Sequence, residues 1–201
     1  ALLELDRLET ARRSVEAWRD ARTPVLSAWV SLGEGQYREA VEALEGEPST
    51  LAAYVRGMSL LELGSPKASA SLRQVLEAWS DIPEPMTQIL VGRARVAQAL
   101  AEQSIFEVED LARAWAAGDP IVFVLLARFM ERTGQRASAG RLYVEAASMG
   151  PESAIAQHAL GLFWFDPQGD FAGAREVWRQ YLDLQPNGDR ARRTRARMGR
   201  R

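Results

Sequence analysis

The chain has 201 residues, 47% of them hydrophobic and 26% charged, with a formal net charge of −2 and no cysteine. That is enough apolar surface for a buried core and too much for an unfolded chain, and it leaves no disulfide, thiolate metal site or cysteine nucleophile. No apolar run approaches the ~18 residues of a membrane span, the longest being Ile121 to Ala127. A cytoplasmic protein is the default expectation, with the periplasm as the alternative. The charge is unevenly spread: residues 190–201 hold seven arginines and no acid, so all 27 acidic side chains lie before them. One lysine, Lys67, and one asparagine, Asn187, stand beside many arginines, a composition expected of a GC-rich bacterial genome. The sequence starts at Ala1 with no leader-like pattern after it, and is expected to be a fragment or a processed chain.

Residues 1–21 place Leu2, Leu5, Leu8, Val15 and Trp18 on or near one stripe and predict an N-terminal capping helix. From Pro24 onward the chain is rich in the residues that lose least on entering a helix, and no apolar–polar alternation bounded by turns predicts a strand. Breakers then follow in order: Gly33 with Gly35, Pro48, Gly64 with Pro66, Pro83 with Pro85, Gly118 with Pro120, Gly134, Gly150 with Pro151, Pro167 to Gly169, and Pro186 to Gly188. They divide the chain into helical segments of about 10 to 18 residues. Pairing the segments predicts an all-α protein of five helical hairpins, over residues 22–49, 50–83, 85–119, 120–152 and 154–187. A basic capping helix that frays into a tail is expected over 188–201.

The hairpins share a register. A small residue follows each gap at Ala40, Ala68, Ala139 and Ala174, with a middle copy near Val108. Laying residues 120–151 on 154–186 brings Ala127 onto Gly161, Gly134 onto Gly169, Ala139 onto Ala174, Tyr143 onto Trp178, Ala146 onto Tyr181 and Pro151 onto Pro186, with one residue inserted in DPQGD. Small residues predict close approach of the two helices of a pair; Tyr143, Trp178 and Tyr181 are expected to fill the space between one pair and the next.

This pattern resembles the tetratricopeptide repeat (TPR), whose unit carries a small residue in its first helix, glycine at the turn, alanine in the second helix, an aromatic four residues later and a closing proline. GQYREAVEAL (35–44) and RGMSLLELGSPKASASL (56–72) look like the same unit, while residues 85–120 match only at Val108, Ala112, Trp115 and Pro120. The resemblance covers residues 22–186 and implies a right-handed α-solenoid of about five repeats. It also implies that the first helices line a concave groove that takes a peptide or a partner-protein segment. Transferred by register, the groove residues are Arg22, Val25, Trp29 and Leu32, then Leu51, Tyr54, Met58 and Leu61, then Ile121, Val124, Arg128 and Glu131, then Ile155, His158, Leu162 and Phe165. Exposed, they would form an unusually apolar trough suited to an amphipathic or extended segment; the alternative is that neighbouring helices cover them. The family's clamp for chaperone tails uses lysine and asparagine, which the single Lys67 and Asn187 do not supply; Arg22 or Arg128 is the substitute that remains.

Catalysis has no support. The one histidine, His158, has no nucleophile motif near it, Glu107 and Glu109 are expected on a solvated helix rather than in a cleft, and neither an EF-hand loop nor a phosphate-binding glycine loop is present. No cofactor or metal is expected. The expected function is a noncatalytic interaction scaffold or adaptor within a larger assembly. Two alternatives remain: a regulatory or nucleic-acid-associated protein that contacts anions through Arg190, Arg192, Arg193, Arg195 and Arg197, and a scaffold that self-associates. The tail lacks the interleaved aromatics that stack on bases, which ranks nucleic acid below a protein partner.

Overall fold

The computed structural model describes residues 23–79, 81, 85–102, 119–166 and 169–199. The expected helix over 1–21, Arg22, the middle-copy residues Glu107, Val108, Glu109, Ala112 and Trp115, and Arg200 and Arg201 lie outside them. Among the described residues there are ten helices and no strand. The chain divides into two compact units, with the division after Trp115. The first holds α1 (Thr23–Glu34), α2 (Tyr37–Glu42), α3 (Thr50–Glu62), α4 (Lys67–Trp79) and α5 (Pro85–Ala101). The second holds α6 (Pro120–Arg132), α7 (Arg136–Met149), α8 (Ala154–Phe165), α9 (Phe171–Leu184) and α10 (Asp189–Met198). Within the first unit each helix packs on the next, and α1 also touches α3 and α3 touches α5; within the second, consecutive helices pack in turn and α6 touches α8.

Four hairpins, α1–α2, α3–α4, α6–α7 and α8–α9, are built alike. Each turn holds a glycine in the left-handed region, Gly35 at φ 74°, Gly64 at 68°, Gly134 at 80° and Gly169 at 65°, where a Cβ would be strained. In the first three, the N–H after the glycine reaches five residues back: Gln36 to Ser31 O at 2.8 Å, Ser65 to Leu60 O at 2.9 Å and Gln135 to Met130 O at 2.7 Å. This Schellman closure satisfies carbonyls that the helix end would leave open. In the fourth the loop is one residue longer, and Asp170 N–H reaches Trp164 O at 3.1 Å. That is the insertion required by the alignment of the two halves of the second unit.

The packing repeats with the turn. Ala28, Gly57, Ala127 and Gly161 in the first helices are buried, as are Ala40, Ala68, Ala139 and Ala174 early in the second, and Leu44, Leu72, Tyr143 and Trp178 further on. A Cβ at Gly57 would stand 2.8 Å from Leu72 Cδ2, and one at Gly161 would fall on the Trp178 indole. In the α3–α4 and α8–α9 hairpins the large residue of the second helix therefore lies directly on the glycine of the first.

The aromatic side chains divide their work differently from the expectation. Tyr143 does reach the next pair, its ring 5.1 Å from Phe163 of α8. Trp178 packs inside its own pair, because Gly161 leaves room for it, and its Nε1–H donates to the His158 carbonyl at 3.4 Å. Tyr181 faces His158 of its own pair at 4.9 Å and clusters with Ala154 and Ala191.

Side-chain caps start the first helices: Ser49 accepts from Ala52 N–H at 3.3 Å, Asp119 from Ile121 N–H at 3.0 Å ahead of Pro120, and Ser153 from Ala156 N–H at 3.3 Å. The second helix α2 has only six residues and runs into turns around Gly46 (φ 77°), which accounts for the short first repeat. Ser69 Oγ, at 2.5 Å, and Gln98 Nε2, at 2.9 Å, donate to Glu102 Oε1, link α4 to the end of α5, and hold that carboxyl below its usual range. At the C-terminus α10 runs from Asp189 to Met198, with Arg190, Ala191 and Thr194 buried.

Candidate interaction site

In the first unit the register-transferred residues are mostly filled space. Val25 and Trp29 of α1 and Tyr54, Met58 and Leu61 of α3 are buried, and Trp29 stacks on Tyr54 with ring centroids 5.7 Å apart and planes at 27°. The cause is direct contact between α1 and α3, which sets their facing side chains against one another. Leu32 and Leu51 are half-buried.

In the second unit Ile121, Val124 and His158 are buried, Arg128, Ile155, Leu162 and Phe165 are half-buried, and Glu131 is exposed. Glu131 accepts the Tyr143 hydroxyl at 3.0 Å, which ties the end of α6 to α7. Phe165 meets Phe171 edge-on at 5.2 Å and Trp178 at 5.1 Å. Burial, followed by the positive charges of Arg190, Arg128, Arg197 and Arg193, pushes the His158 imidazole well below its usual pKa. It is therefore neutral at pH 7, and its Nδ1 has no hydrogen-bond partner among the described residues. A neutral, enclosed ring against Tyr181 is a packed side chain.

The basic helix is more engaged than its composition suggests. Arg190 is only 6% exposed. Arg192 pairs with Asp189, Arg195 donates to the Pro186 carbonyl at 2.6 Å, and Arg197 lies 3.8 Å from Asp166. Arg193 is exposed. These contacts hold several guanidinium groups on the chain itself and leave fewer of them for phosphates.

A concave feature that the sequence did not single out lies where α7 meets α8. This cleft of about 470 Å³ has Gly140, Val144, Phe163 and Trp164 as its apolar surface, with Arg136, Arg141 and Glu145 around it. A Cβ at Gly140 would stand 2.9 Å from Phe163 Cε1, so glycine here lets the ring sit against the α7 backbone. Its signal in the sequence is a glycine inside a helix, away from any turn, six residues after Gly134.

Among the described residues no group of three or more His, Cys, Asp or Glu side chains is placed to hold a metal ion, and no helix is long and apolar enough to cross a membrane. No family model matches the chain, and no curated protein matches it.

Proposed function

We propose that the chain is a noncatalytic interaction scaffold of TPR-like helical hairpins that docks a peptide or a segment of a partner protein. The observation that carries this reading is the recurrence of one hairpin plan four times: positive-φ turn glycine, buried small residue before it, buried alanine and large residue after it. A repeated hairpin cannot cover both its apolar faces alone, and stacking with neighbours is how such modules reach stability and present extended surfaces. Contacts between alternate helices, α1 with α3, α3 with α5 and α6 with α8, support a stacked arrangement within each unit.

On this reading the first helices of the second unit offer Arg128, Glu131, Leu162 and Phe165 to a partner, because their neighbours Val124 and His158 are already enclosed. A photoreactive side chain placed at Leu162, and separately at the exposed Arg179 of α9, tests it in cells. Partner adducts that form at residue 162 and not at 179 are expected. Equal adducts at both sites, or none at 162 alongside some at 179, would contradict docking on the first helices.

A further inference from the structure

The cleft between α7 and α8 shares no residue with the first-helix surface. Its volume, about 470 Å³, lies within the range of ligand clefts. Its floor is apolar: Phe163 packed against Gly140, with Trp164 beside it and Val144 43% exposed. Its rim is unevenly charged. The Arg136 guanidinium stands 5.8 Å over the Phe163 ring, and Arg141 donates to Ser138 Oγ at 3.1 Å. Neither arginine has a carboxylate partner among the described residues, and Glu145 is the one acid lining the cleft.

We propose that this cleft docks an acidic segment of a partner protein. An aliphatic or aromatic side chain of that segment fills the space over Val144, Phe163 and Trp164, and an adjacent carboxylate pairs with Arg136 and Arg141. Charge complementarity selects this occupant, since two guanidinium groups face one carboxylate on the rim. An apolar group entering the cleft also excludes water from beside Arg136, which strengthens a charge-assisted hydrogen bond made there. A lysine-rich segment meets repulsion at the same place, and a purely apolar one leaves both cations unpaired. The proposal shares with the scaffold reading only the idea that the ligand is a protein segment; its site is a different one.

The test is NMR titration of the intact chain with the peptide acetyl-Glu-Leu-Phe-Glu-amide, with its Lys-Leu-Phe-Lys and Glu-Ala-Ala-Glu counterparts as controls. The acidic apolar peptide is expected to shift the Trp164 indole N–H and the Gly140 amide, while both controls leave them in place. Arg136→Glu together with Arg141→Glu, both at exposed positions, should weaken binding at least about tenfold with an unchanged helical circular dichroism spectrum. Equal binding of the lysine peptide, unchanged affinity of the double variant, or no shift at Trp164 with millimolar peptide would overturn the proposal. Shifts confined to Arg128 and Leu162 would also overturn it while leaving the first-helix reading intact.

Discussion

The α3–α4 and α8–α9 hairpins have the same turn glycine and the same small residue at their crossing, yet they fill the crossing differently. Leu72 covers Gly57 in one, and the Trp178 indole covers Gly161 in the other. The backbone plan is thus set by glycine and the buried alanines, while the volume that completes it varies between hairpins. Where the filling is aromatic it brings further neighbours, Phe165 on one side and the His158 carbonyl on the other. The hairpin with the larger filling should therefore depend more on that single side chain.

Trp178→Ala is the strongest way to break the comparison. Loss of a fully buried indole should cost about 3–5 kcal/mol and Leu72→Ala about 2–5 kcal/mol, the indole being the larger of the two, read by urea unfolding with a probe in each unit. A larger cost at Leu72 would reverse the ranking. Next in size are the turns. Gly64 and Gly134 both have positive φ and open space around the missing Cβ, so alanine at either position meets only backbone strain. Both substitutions should cost about 1–2 kcal/mol, and equally so. Unequal losses in thermal unfolding would show that the two turns are not equivalent.

A pH-dependent effect belongs to the second unit alone. His158 has a depressed pKa in the folded state, so the unfolded chain binds its proton first as pH falls. Stability is then flat above the ordinary histidine value near 6.5 and declines below it until the folded-state pKa is reached, by at most about 1.4 kcal/mol per pH unit. The ring packs against Tyr181, and the charges that act on it are those of Arg190, Arg193 and Arg197 of α10 and Arg128 of α6. Because the chain has one histidine, His158→Phe should remove the part of the midpoint's pH dependence that centres on histidine titration. A variant with the same slope as the parent between roughly pH 5 and 7, the span around the ordinary histidine pKa, would place that titration elsewhere.

Much of the hairpin plan was legible because it is local. Gly134 and Gly169 mark turns through a backbone conformation that few other residues enter, and Ala139 and Ala174 mark the crossing through their size. The one-residue insertion before Gly169 was legible for the same reason. The enclosure of Trp29, Tyr54 and Val124 was not, since it depends on how closely successive first helices approach, and periodicity carries no such distance. Composition likewise predicted a basic capping helix over 188–201, but it did not reveal that α10 packs on α9 and buries Arg190. The α7–α8 cleft escaped because Gly140 has no role in the repeat register; its significance comes from Phe163, which is brought to it by the fold.

One measurement bears most directly on the repeated crossing: proton–proton nuclear Overhauser contacts at the two glycines. Strong cross-peaks from the Gly57 Hα protons to the Leu72 methyls, and from the Gly161 Hα protons to the Trp178 indole, are the predicted result. Absence of either contact in a folded, well-dispersed spectrum would show that the two hairpins do not share a packing plan.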